Sequence, residues 1–231
     1  MQQTQTSAFQ QRAPFPWMNF DGLLREDAFR RLLASVPELD SFGKETERKG
    51  GSGVRYDLQY RPWLQVAEPW RDFIAELQGS EYMGFIRRLF GLGEEELELT
   101  MHWHFAPRGF LLGPHVDAKR KVGSHIFYLN TSADWEPSWG GQTLILDDGG
   151  RSLSSPDFGD FQSITTPEIV GNRSLLFQRT QHSWHGVKAL ECPPEKLRKV
   201  FIVVFNRRTL QVRWRRIRGK DPDGYPLAPS A

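Results

Sequence analysis

Apolar positions recur at helical spacing in the first 95 residues of the chain and at alternating spacing after that. Phe29, Leu32, Leu33 and Val36 lie at i, i+3, i+4, i+7, as do Trp70, Phe73, Ile74 and Leu77, and again Tyr82, Phe85, Ile86 and Leu89. Each set draws one apolar stripe along a helix. Pro69 suits the first turn of the second helix, and Gly91 suits the stop of the third. From Leu97 the period is two. Leu97–Phe105, Gly123–Leu129, Gln142–Leu146, Ser174–Phe177 and Lys199–Phe205 read as strands. They are separated by turn signals at Pro107-Arg108-Gly109, Gly140-Gly141, Asp148-Gly149-Gly150, Gly171-Asn172 and Pro193-Pro194. Helices followed by many short strands predict an α+β fold in which a β-sandwich or barrel is covered by N-terminal helices.

No internal repeat or shift in composition calls for a second domain. The expected organisation is a disordered lead-in over 1–15, one domain over 16–220 and a flexible tail over 221–231, with a polar, Gly-rich mobile loop over Lys44–Gly53. The chain has 231 residues, enough for a substantial core. Apolar residues are 39% and charged residues 25% of it, a globular composition. The formal charge of +2 gives no general attraction to nucleic acid or membrane, and neither is expected as a partner. No apolar run is long enough to span a bilayer, and Met1–Arg12 is Gln-rich without an apolar signal-peptide segment. Cys192 is the single cysteine, which excludes an internal disulfide and a cysteine-rich zinc site and suits a cytoplasmic location. One local bias stands out: residues 207–220 carry six arginines and Lys220 with no acid. This reads as a polar edge strand running into a solvated tail.

The candidate chemistry lies in Gly113-Pro114-His115-Val116-Asp117. On an extended segment, residues two apart face the same way, so His115 and Asp117 can reach one point. His185, in Ser183-Trp184-His185-Gly186-Val187, follows an apolar strand and could complete the group; His182 is its rival. Two histidines and a carboxylate on one face of a metal leave three positions open, as in non-heme iron(II) oxygenases. His-x-Asp alone is also common as a hydrogen-bonded structural pair. Arg198, at the start of the last apolar strand, is placed to hold a carboxylate in a fork of donors.

Several segments, in order, resemble the prolyl 4-hydroxylase-like branch of the 2-oxoglutarate/iron(II) oxygenases. They are the proline-flanked Asp21-Gly22-Leu23-Leu24 and its helix, Trp70–Leu92, Gly109–Asp117, Tyr128-Leu129-Asn130, Trp139-Gly140-Gly141, His185-Gly186, Leu190, Cys192-Pro193-Pro194 and Arg198-Lys199. The resemblance spans residue 16 to about residue 206. It implies a double-stranded β-helix, or jelly roll. It also implies Fe(II) held by His115, Asp117 and His185, 2-oxoglutarate anchored by Arg198, and O2 as oxidant. Tyr128 and Ser124, with Ile126, would line the cosubstrate pocket. The implied reaction hydroxylates an unactivated C–H bond and releases succinate and CO2, and the carboxylate ligand favours hydroxylation over halogenation. One departure is Phe105, where some relatives carry a tyrosine that bonds the cosubstrate. With Phe105 turned to the pocket, His102 and His104 would face away, and His125 would lie outside it as well. The expected substrate is a small or amino-acid-like molecule. An acidic one would be drawn by Arg55, Lys119, Arg120 and Lys121. The alternatives are a cupin-like isomerase or hydrolase using zinc or manganese, a peptidyl-prolyl hydroxylase, and a binding module without catalysis.

Overall fold

A computed structural model describes residues 2–45, 51–222 and 224. Two antiparallel sheets form a double-stranded β-helix, or jelly-roll core, preceded by helices. The strands are β1 (Trp17–Asp21), β2 (Gly43–Glu45), β3 (Gly51–Ser52), β4 (Arg55–Gln59), β5 (Leu97–Ala106), β6 (Leu111–His115), β7 (Lys121–Tyr128), β8 (Leu144–Asp147), β9 (Ser163–Thr165), β10 (Arg173–Gln178), β11 (Trp184–Val187) and β12 (Arg198–Arg207). The larger sheet runs β1-β10-β7-β12-β5-β4-β2, and the smaller β3-β6-β11-β8-β9. All five strands expected from the alternation are present. The strands that the pattern did not reveal are short or partly polar, such as β4, β9 and β11.

The expected apolar stripes lie on α2 (Glu26–Ala34), α3 (Glu68–Gln78) and α4 (Ser80–Leu89). On α3 all four stripe residues are buried, and Pro69 occupies its first turn. Val36 falls beyond the end of α2. Beyond α4, the Gly91 and Leu92 amides turn back to the Arg88 and Arg87 carbonyls, which satisfies the helix end. The helices cover one face of the larger sheet. There Trp70 meets Trp103 at 5.0 Å and Phe201 at 5.1 Å between ring centroids. A side chain of this size, fully removed from water, stabilises by roughly 2–3 kcal/mol.

Three expectations need correction. The lead-in carries α1 (Gln2–Gln10), whose Phe9 is fully buried with its ring 5.8 Å from that of Phe90. One aromatic anchor thus orders a segment whose composition reads as unstructured. The expected mobile loop over 44–53 has strands at its described ends, β2 paired with β4 and β3 paired with β6, while 46–50 fall outside the described residues. The basic segment folds as α5 (Leu210–Ile217), capped by Thr209, whose side chain accepts from the Val212 amide. Most of the tail over 221–231 falls outside the described residues, but Asp221 is buried and ion-paired with Arg61 at 2.8 Å. Among the described residues no helix is long and apolar enough to cross a membrane.

Candidate metal centre and anion pocket

A cavity of about 430 Å³ lies between the two sheets. His115 ends β6 and His185 lies on β11, and the two are direct partners across the strand pair. Gly186 permits this approach, because a Cβ there would stand 2.8 Å from the Leu112 carbonyl oxygen. His115 Nδ1 lies 3.0 Å from the Gly113 carbonyl oxygen, and His185 Nδ1 lies 2.9 Å from that of Ser183. Each carbonyl accepts an Nδ1–H, which leaves both Nε2 lone pairs for a common point. Asp117 completes the group, with one ligand atom from each of the three residues lying within 4.8 Å of the others. Lys121 Nζ donates to Asp117 Oδ1 at 2.7 Å, and Ser124 Oγ to Oδ2 at 3.3 Å. Burial works to raise the Asp117 pKa, but the Lys121 charge, with the two histidines, holds it well below the usual carboxylate range. Burial first, then His115, pushes His185 down to about 3, so it is a neutral imidazole at pH 7. Two imidazoles and a carboxylate on one face suit a divalent metal with open positions.

Arg198 is 3% exposed on the inner face of β12. Its Nε donates to the Gly141 carbonyl and its Nη2 to Thr143 Oγ1 at 3.2 Å. Gly141 has φ +92°, and a Cβ there would stand 3.2 Å from the Arg198 side chain, so both the turn and the close approach require glycine. No carboxylate pairs with Arg198 among the described residues. Burial works against its charge, and an uncompensated buried guanidinium calls for an anion. The Tyr128 ring lies 5.7 Å from the guanidinium, and its buried hydroxyl has no hydrogen-bond partner. A buried cation without a carboxylate, in the cavity that also holds the His-Asp-His group, fits an anionic ligand beside a metal.

Asn130 clamps the backbone on both sides of Arg198. Its Oδ1 accepts from the Lys199 amide at 2.7 Å, and its Nδ2 donates to the Leu197 carbonyl at 3.0 Å. His182 is turned away from the cavity and bonds Asp148 at 2.7 Å. His125, as expected, faces away from the cavity, between Tyr82 Oη at 2.7 Å and Ser174 Oγ at 3.0 Å. Phe105 is a correction. It faces the helices and stacks on Phe42 at 4.5 Å, so its missing hydroxyl removes nothing from the pocket. By the alternation of β5, His102 and His104 are the residues that line the cavity. His104 Nδ1 bonds Asp57 Oδ1 at 2.9 Å, and Arg55 Nε pairs with Asp57 Oδ2 at 2.9 Å. Burial opposes ionisation of Asp57, but the bond from His104 leads the contributions that bring it down to about 2. Sequence reasoning missed Asp57; its only signal was the short run Arg55–Gln59, too polar to read as a strand. Of the four cations expected at the mouth, Arg55, Arg120 and Lys121 line the cavity, and Lys119 is exposed.

Residues 100–207 match the family model of the 2OG-Fe(II) oxygenase superfamily. No curated protein matches the sequence. Among solved structures, a prolyl-4-hydroxylase from Pseudomonas putida is 19% identical, with TM-score 0.65, 90% of this chain covered and 100% of the other. A Trichoplax adhaerens prolyl hydroxylase, in complex with a hypoxia inducible factor oxygen degradation domain peptide, is 15% identical, with TM-score 0.64 and coverage of 89% and 90%. HygX from Streptomyces hygroscopicus, with nickel, 2-oxoglutarate and hygromycin B bound, is 10% identical, with TM-score 0.56 and 83% of each chain covered. At these identities the likeness is one of fold.

Proposed function

We propose that the protein, whose residues 100–207 match the family model of the 2OG-Fe(II) oxygenase superfamily, is an Fe(II)/2-oxoglutarate-dependent hydroxylase of a small or amino-acid-like molecule. The observation that carries this reading is the pairing, within one cavity, of the His115–Asp117–His185 group with the buried, carboxylate-free Arg198. His115, Asp117 and His185 hold Fe(II). Arg198 takes the far carboxylate of 2-oxoglutarate, with Thr143 and Tyr128 beside it, and Ser124 supports Asp117 from the cavity wall. When iron, 2-oxoglutarate and O2 are bound, the cosubstrate is oxidised and decarboxylated to succinate and CO2 while a substrate C–H becomes C–OH.

The protein's own part is to orient and to exclude water. The Gly113 and Ser183 carbonyls fix both imidazole tautomers, and Lys121 and Ser124 fix the carboxylate. Apolar Ile126, Phe177, Val187 and Ile202 keep the cavity wall dry. A volume of about 430 Å³ is ample for a cosubstrate and part of a small substrate. Arg120 and Lys121 at the lining favour a substrate with an acidic group. The free, buried Cys192 suits a reducing compartment, the cytoplasm. A cupin-like metalloenzyme without 2-oxoglutarate would have no use for a buried Arg198.

The test is an anaerobic titration of the protein with Fe(II) and 2-oxoglutarate, read by the visible charge-transfer band of the chelate. Wild type is expected to give the band. His185→Ala is expected to lose it, with iron affinity down by more than about a hundredfold. A folded wild type without the band overturns the reading.

A further inference from the structure

Arg198 does not stand alone on the inner face of the larger sheet. On β12, Val200 lies opposite Tyr128 of β7 on one side and opposite His104 of β5 on the other. Arg198 is two residues along on the same face and lies opposite Ala106. His104 is therefore its diagonal neighbour on one flank, as Tyr128 is on the other, within reach of long side chains. Ala106, between them on this face, is small and fully buried. The His104 ring is held from behind by the chain Arg55–Asp57–His104, and its Nδ1–H is directed to Asp57 Oδ1. This leaves Nε2 as the ring atom for the cavity, and no described residue bonds it.

We propose that His104, held by Asp57, is a third arm of the anion pocket and donates from Nε2 to the carboxylate seated on Arg198. The inference rests on the reading of the cavity as a 2-oxoglutarate site and adds to it a carboxylate-binding residue, with Asp57 as its positioning residue. It also explains how the pocket works with Phe105 turned to the helices.

Asp57 occupies Nδ1, so a donating Nε2–H requires the imidazolium. Burial favours the neutral ring; Asp57 opposes this, and the charges of Arg198 and Arg55 add to it. The other groups near the ring are His102 on its own strand and the apolar Phe110, whose ring centroid is 5.1 Å away. A carboxylate on Arg198 offsets that cation and supplies a second anion, so the ring takes a proton from solvent as the diacid binds.

The experiment compares two oxo acids on the Fe(II)-loaded protein under anaerobic conditions, read by the chelate band. 2-Oxoglutarate has the far carboxylate, and 2-oxovalerate has a methyl group there. His104→Phe is expected to weaken 2-oxoglutarate about tenfold and to leave 2-oxovalerate within about twofold. His104→Gln, which keeps a donor at this position, is expected to recover most of the loss. Asp57→Asn should weaken 2-oxoglutarate about threefold in the wild-type background and not at all beside His104→Phe, a result that a merely structural role would not give. Wild-type affinity for 2-oxoglutarate should also rise from pH 8 to pH 6 more steeply than that of His104→Phe. Unchanged 2-oxoglutarate affinity in His104→Phe overturns the inference, as does an equal loss for both oxo acids. Should His104→Phe not fold, the Gln and Asn variants decide between the same outcomes. A wild type that gives no band with either acid fails the underlying functional reading, and this inference with it.

Discussion

The two faces of the seven-stranded sheet are built from alternate residues of the same strands, yet they do opposite work. On β5 the helix face carries Trp103 and Phe105, while the cavity face carries His102 and His104. On β12 the helix face carries Phe201, Val203 and Phe205, while the cavity face carries Arg198. The helix face is an interlocked aromatic layer in which His125 lies between Tyr82 and Ser174, while the Trp103 indole N–H has no partner. The cavity face keeps a guanidinium without a carboxylate and a tyrosine hydroxyl without a partner. Buried polar groups left unsatisfied cost stability. One face of each strand therefore packs the fold, and the other holds a buried cation with no carboxylate partner among the described residues.

The largest test of this contrast is Trp103→Ala on the helix face. It removes a fully buried indole and is expected to cost about 3–5 kcal/mol in denaturant unfolding. The opposite behaviour is expected on the cavity face. Arg198→Met should leave the stability of the ligand-free protein unchanged or raise it by about 1 kcal/mol, since a buried cation is replaced by an apolar chain of similar length. The same variant should weaken 2-oxoglutarate by about 2–4 kcal/mol and lack the rise in melting temperature expected of wild type on adding 2-oxoglutarate. A large loss of ligand-free stability would mean that Arg198 belongs to the fold rather than to the site.

A smaller effect separates a satisfied histidine from the cavity set by pH. Burial lowers the pKa of His125 to about 3, from the usual 6.5 of a free imidazole. The unfolded chain takes up the proton first. The contribution of His125 to stability is therefore complete above pH 6.5 and is lost as the pH falls from there toward 3. Between pH 6.5 and pH 5, wild type is expected to lose about 2 kcal/mol more than His125→Gln. Parallel curves for the two proteins would show that His125 can be protonated without breaking its bonds. The smallest effect belongs to neither face. Trp214 on α5 is 60% exposed, and Trp214→Ser should change stability by no more than about 0.5 kcal/mol.

Much of the fold was legible because the elements that build the core carry strong periodicity. The α3 stripe and the strands β5, β7 and β12 sit where the spacing puts them, since an apolar face must find another apolar face. The His-x-Asp pair was legible because residues two apart on an extended chain converge by local geometry alone, and Arg198, a charge standing at the head of an apolar strand, lines the same cavity. What the alternation could not give was which of its two faces meets the helices. Parity correctly grouped His102 with His104 and Trp103 with Phe105, but the assignment of the groups was reversed, because orientation is fixed by what packs above and below the sheet. The same holds for partners far apart in sequence: Asp57 behind His104, Asn130 around Arg198, Phe9 against Phe90 and Asp221 under Arg61. The sequence by itself determined the main elements and the His-x-Asp pair, and it carried the resemblance to a family. Only the tertiary structure decided which face became the cavity and which distant residues hold its chemistry in place, because those depend on contacts that no local pattern encodes.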